Sequence, residues 1–181
     1  MPNYGNIANS TQTGKDGGYK NNLWFAEVAD ITTWARPIAV PVVLGDKVKI
    51  ITAHVFASGK SAFSWELKIG SVQHTTETQG DVGARELVHV ARVEVLGDNA
   101  ATLEQMVNAL NDNKVIWLKD ADCLTTDAYT QLGDDCNPVS AQVTFDSKTN
   151  NPEGTSGQKS YIVEFRTKKK FFYTAVLDVT P

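Results

Sequence analysis

Alternation of apolar and polar residues at a period of two, repeated along most of the chain, is the feature that most limits what this sequence can fold into. Between Ala62 and Ile69 the side chains Phe63, Trp65, Leu67 and Ile69 alternate with Ser64, Glu66 and Lys68, the pattern of a strand with one face in a core and one in water. It returns in Glu86 to Leu96, where Leu87, Ala91, Val93 and Val95 share a face, and in Val139 to Phe145, with Val139, Ala141, Val143 and Phe145 inward. Tyr161, Val163 and Phe165 repeat it once more. Lys47 to Phe56 is rich in β-branched residues (Val48, Ile50, Ile51, Thr52, Val55), and Phe171 to Val179 extends the theme. With Trp24 to Ala29, Ile38 to Leu44 and Val115 to Lys119 added, the total is about eight or nine strands, which suits a two-sheet sandwich or a small barrel.

Asn99 to Asp112 departs from this period. Leu103, Met106, Val107 and Leu110 fall at i, i+3, i+4 and i+7, which predicts an amphipathic helix docking one stripe on a sheet, with Asp98 or Asn99 as its N-cap. Two stretches carry no periodic pattern: Gly70 to Arg85, and Asp146 to Ser160 with the turn chemistry of Asn150-Asn151-Pro152-Glu153-Gly154. Loops of that length are uncommon in a compact domain unless they bind something. Residues 1–22 are dominated by Gly, Asn, Ser, Thr and Lys and offer no apolar face to repay the entropy of ordering. They read as a flexible N-terminal arm that is tied down only by a neighbouring copy. Residues 23–181 read as one mainly β domain, a two-sheet β-sandwich or barrel-like body with a flanking helix at about 99–112.

Charge and composition narrow the function. A single domain is expected of 181 residues, and 17 Lys+Arg against 21 Asp+Glu leave a net charge of −4, unsuited to gripping phosphate backbones in general. No apolar run approaches the roughly 20 residues of a membrane span, and Met1-Pro2-Asn3-Tyr4-Gly5 shows neither the basic nor the apolar part of a signal peptide. Synthesis in a cytoplasm, without membrane attachment, is the expectation. Cys123 and Cys136 are the two cysteines, either a disulfide pair or two small buried hydrophobes.

Chemical motifs fail when tested. Gly59-Lys60-Ser61 resembles the tail of a phosphate-binding loop, but His54 stands where the leading glycine is needed and a strand, not a helix, follows. A turn is expected there. Asp120, Asp122, Asp127, Asp134 and Asp135 suggest a calcium loop, yet an EF-hand begun at Asp120 would place Thr125 and Gln131 where glycine and glutamate belong. His54, His74 and His89 lack zinc-ligand spacing, and His89 reads as a hydrogen-bonded or edge histidine. Gly154-Thr155-Ser156-Gly157-Gln158 is not a nucleophile elbow. Neither a catalytic group, nor a cofactor site, nor a metal site is therefore assigned. Arg166, Lys168, Lys169 and Lys170 form a basic cluster, either a solvated turn that blunts a sheet edge or a contact for the acidic 120–135 region of another copy.

A flexible arm, two sheets of strands, one flanking helix in the second half and a long polar insertion between two strong strands together resemble the tail tube (major tail) proteins of bacteriophages. The inner-tube proteins of contractile injection systems are related to them. The resemblance spans roughly Leu23 to Val179 and rests on the order and character of the elements. Phe63 to Ile69, the loop Gly70 to Arg85 and Glu86 to Leu96 resemble the long hairpin whose tip reaches an adjacent ring; Asn99 to Asp112 resembles the flanking helix; Met1 to Asn22 resembles the arm that crosses to a neighbour. The resemblance implies a structural virion protein, made in the bacterial host cytoplasm, that self-assembles into six-membered rings stacked into a hollow tube. Its partners would be copies of itself and other tail proteins, with DNA in transit through the lumen and not specifically bound. Subunit contacts then fall on Tyr4, Tyr19 and Trp24 near the arm, on His74, Thr76, Glu77, Gln79, Asp81 and Arg85 in the loop, and on Lys168, Lys169 and Lys170. Another virion part, such as a head-decoration, connector or head–tail completion protein, suits the same architecture. A carbohydrate-binding sandwich is the third reading, for which Trp24 and Trp34 are the candidate stacking platforms, Trp65 and Trp117 being placed in the core.

Overall fold

The computed structural model describes residues 18–120, 129–147 and 159–179. The sequence-predicted features at Tyr4 and the rest of residues 1–17, at Asp122, Cys123 and Asp127, and at residues 148–158 lie outside the described residues. The fold is mainly β, with several sheets, one α-helix and, among the described residues, no sheet closed into a barrel.

The strands in chain order are β1 (Tyr19–Glu27), β2 (Ile31–Thr33), β3 (Lys49–Ile50), β4 (Val55–Phe56), β5 (Phe63–Glu66), β6 (Gln73–Gln79), β7 (Glu86–Leu96), β8 (Lys114–Asp120), β9 (Tyr129–Leu132), β10 (Ser140–Ser147), β11 (Lys159–Thr167) and β12 (Lys170–Tyr173). A six-stranded sheet runs β3-β12-β9-β8-β1-β5, a four-stranded sheet runs β10-β11-β7-β6, and β2 pairs with β4. Leu23 and Phe25 of β1, Ile116 and Leu118 of β8, Ala91 and Val93 of β7, and Val163 and Phe165 of β11 share one buried cluster, so the two larger sheets pack face to face. Val115, Trp117 and Tyr173 join a second cluster on the other face of the six-stranded sheet. That is why Val115-Ile116-Trp117-Leu118 shows no alternation: both faces of β8 are covered.

Gln131 sits at the centre of a buried polar network in the second cluster. Its Oε1 accepts from Trp117 Nε1 at 3.1 Å and lies 2.8 Å from His54 Nε2, while its Nε2 donates to the Gly133 carbonyl at 3.0 Å. The Ala35 amide donates to His54 Nδ1 at 3.1 Å, which places the imidazole proton on Nε2, facing Gln131. Burial lowers the His54 pKa and favours this neutral form.

The helix α1 (Ala100–Asn111) begins as predicted, with the Asn99 side chain accepting from the Thr102 amide at 2.9 Å. Its stripe differs from expectation. Met106 and Ala109 are buried, whereas Leu103, Val107 and Leu110 are each about half exposed, because α1 packs beside the edge strand β10 and not across a sheet face.

Five further expectations are corrected. Ile38 to Leu44 forms no strand: Pro37 and Pro41 lack amide donors, and the Asp46 carboxylate takes the amides of Val42 and Val43 at 2.9 and 3.0 Å. Lys47 to Phe56 is broken into β3 and β4 by a bend. Tyr19 to Asn22, assigned to the arm, belong to β1, where Tyr19 pairs with Asp120 and the Asn21 carbonyl accepts from Leu67; partner strands supply what local composition does not encode. Finally, Phe63 to Ile69 and Glu86 to Leu96 are not two arms of one hairpin. The Leu67 amide bonds to Asn21 and the Lys68 amide to Glu94, so the chain crosses between the two large sheets at these residues. The patternless stretch 70–85 supplies β6, which pairs with β7 from Gln73↔Arg92 to Gln79↔Glu86. Its three threonines suit a strand, but as the last strand of its sheet it lies mostly exposed and needs no apolar alternation. Leu87 is also exposed, not inward.

Candidate functional site

Four of the sequence-predicted contact residues converge where β6 meets the end of the six-stranded sheet. The Tyr19 hydroxyl, at the start of β1, lies 3.0 Å from His74 Nδ1 on β6 and 3.4 Å from Thr130 Oγ1 on β9. Thr76, two residues along β6 on the same face, has its Oγ1 2.9 Å from His89 Nδ1 on β7. The two imidazoles are 5.9 Å apart, centre to centre. Lys170, at the start of β12, completes the group through its charge.

The electrostatics of this seam follow from crowding cations in a half-dry place. Burial, then the Lys170 charge and then His89, lowers the His74 pKa to about 4. Burial and Lys170 also lower that of His89. Burial lowers Lys170 itself, opposed by Asp120, and raises the Tyr19 hydroxyl. His74 Nε2 is buried without a hydrogen-bond partner. At neutral pH both imidazoles are uncharged; a neutral hydrogen bond between His74 and Tyr19 ties β6 to the opposite sheet, and that of Thr76 with His89 ties it to β7. His89 was expected as a hydrogen-bonded or edge residue, and its bond to Thr76 agrees. That it would sit beside His74 has one signal in the sequence, histidines within two segments that turn out to pair.

The remaining loop residues lie along the hairpin. Glu77 and Gln79 are exposed on β6, opposite Val88 and Glu86. Asp81 and Arg85 flank the turn, where the Ala84 amide donates to the Asp81 carbonyl at 3.0 Å. Gly80 has φ +98°, and a Cβ there would stand 2.7 Å from the Ala84 carbonyl oxygen, so this turn requires glycine.

The basic cluster is largely used within the chain. Lys168 pairs with Glu86 beside the hairpin turn, Lys169 accepts from the Gly133 amide through its carbonyl, and Lys170 stands over the Phe172 ring. On the acidic side, Arg36 engages Asp135 at 2.6 Å and Asp134 at 3.8 Å. Asp134, Asp135 and Cys136 bring three ligand-type atoms together, but Asp134 Oδ1 already accepts from the amides of Cys136 and Asn137. Cys136 is exposed. Gly59-Lys60-Ser61 forms the expected turn, closed by the Lys60 amide on Ala57.

The stacking-platform reading gains little from the tryptophans. Trp24 stands edge-on to Tyr129 and Trp34 edge-on to His54, both half-buried, and Trp117 is fully buried. Trp65 packs against the first core cluster, as its alternation implies, and with Phe25 and Phe63 its open side floors a cleft beside α1, a feature that alternation alone conceals.

No helix among the described residues is long and apolar enough to cross a membrane. Comparison with protein-family models, with curated proteins and with solved structures found no match to this chain.

Proposed function

We propose that the chain is a structural virion protein, a tail-tube subunit that self-assembles into stacked rings, through whose lumen DNA passes unbound. In this reading the two face-packed sheets are a β-sandwich serving as the ring-forming body, and the β6–β7 hairpin and the N-terminal residues make contacts between copies. The observation that carries it is the edge strand β6. Its sequence Gln73-His74-Thr75-Thr76-Glu77-Thr78-Gln79 is seven residues long, regular, and without proline or lysine. Glu77 is its one charged residue, and such an edge has neither the proline, the lysine nor the register irregularity by which monomeric β proteins prevent strand-to-strand association, which is an asset in a chain built to polymerise. The net charge of −4 is compatible with a wall that does not retain DNA.

The test uses two variants of the full chain. One removes residues 1–17, which leaves β1 whole; the other replaces residues 73–85 by a short turn. Each is expected to yield a folded monomer by circular dichroism and sedimentation that no longer polymerises. Tubes formed by both variants would remove the roles assigned to arm and hairpin.

A further inference from the structure

The chain carries an uncovered apolar knob and, elsewhere, an uncovered aromatic groove. The knob is the stretch after Pro37: Val40, Val42, Val43 and Leu44 are 77, 88, 64 and 65 % exposed. It is not slack. The Asp46 carboxylate holds the amides of Val42 and Val43, Gly45 takes a left-handed conformation, and the Val48 amide closes on the Gly45 carbonyl at 3.0 Å. Val42, Val43 and Leu44 are thereby held toward water in a fixed shape beside the exposed Val40, and Lys47 and Lys49 follow. Neither lysine has an ion-pair partner among the described residues.

The groove lies between β5 and α1. Phe25, Phe63 and Trp65 form its floor, with Phe25 and Trp65 ring centres 4.8 Å apart, and Gln105 and Asn108 of α1 form its wall. Its volume is about 470 Å³. β5 ends the six-stranded sheet, and beyond the Ala62–Val179 bridge at its start no strand among the described residues pairs with its outer edge. The rim is acidic: Glu27 lines it, and Glu104 sits one helical turn before Asn108. Neither carboxylate is in an ion pair among the described residues. The one cation among the described residues that line the groove, Lys114, is engaged by Asp112 at 2.9 Å and by the Asn108 carbonyl at 2.8 Å.

We infer that the groove of one copy receives the 40–44 knob of a second copy, with Lys47 and Lys49 set against Glu27 and Glu104. This inference rests on the self-assembly reading and names one of its contacts. Complementary charge around an apolar centre favours this occupant, and a pre-shaped knob loses little freedom on docking. Knob and groove are different surfaces of one chain, so the contact is head-to-tail and propagates into rings or filaments.

Sedimentation velocity of the full chain over a concentration series, at low and moderate salt, tests it. Val40→Asp with Val42→Asp, both at exposed positions, is expected to raise the concentration for association at least tenfold. So is Glu27→Lys with Glu104→Lys, and so is Lys47→Glu with Lys49→Glu. Combining the last two pairs reverses both sets of charges and is expected to restore association. Circular dichroism confirms that each variant is folded. Association unchanged by the knob and groove variants, or no restoration on combining the charge reversals, overturns the knob-in-groove contact while leaving self-assembly standing. A wild-type chain that stays monomeric throughout, also after addition of the other tail components, overturns both.

Discussion

His74 is the residue whose chemistry is most tightly bound to its place. In the unfolded chain an imidazole titrates near 6.5; in the fold, burial and the charge of Lys170 lower it to about 4. Below about pH 6.5 the unfolded state takes up a proton that the folded state refuses, so stability is full above that value and declines as pH falls toward 4. Partial solvent access screens the effect, which is worth about 1–2 kcal/mol. Chemical denaturation of wild type and His74→Gln between pH 7 and 4 checks this: the variant is expected to lose much of the decline, and an equal slope in both would show that His74 is not its source. The histidines were visible in the sequence as isolated residues without ligand spacing. Their convergence depends on the register Thr76↔His89 and His74↔Ala91, which no local pattern specifies.

Among the elements, those with a strong internal period were legible and those defined by their neighbours were not. α1 has both the 3.6-residue stripe and an N-cap in its sequence. Replacing Asn99 by Ala removes the bond to the Thr102 amide and is expected to cost about 1 kcal/mol, read as a lower midpoint in urea; an unchanged midpoint would mean that Gly97 and Asp98 set the helix start instead. β11, with Tyr161, Val163 and Phe165 inward, was equally plain. β6 shows no period because an edge strand in water has no apolar face to display, and 38–44 is apolar without being a strand because Pro37 and Pro41 remove amide donors. The site divides the same way. Thr76 and His74 were placed among the contact residues as parts of a polar loop, whereas the groove of Phe25, Phe63 and Trp65 was hidden by reading every inward aromatic as core.

At the scale of the whole molecule, two features of the surface belong together. The two large sheets bury a shared core and leave an unguarded polar strand at one edge, while an apolar knob and an acid-rimmed aromatic groove remain in water on the same chain. Both fit a subunit completed by copies of itself, the knob and groove giving the association a direction. The most direct test is negative-stain electron microscopy of the purified full-length chain, with light scattering on the same sample to give its mass. The account predicts long hollow tubes with a regular axial repeat and a mass that grows with concentration. Single rings or monodisperse monomers that persist after addition of the other tail components would contradict it and favour a connector or head-decoration role.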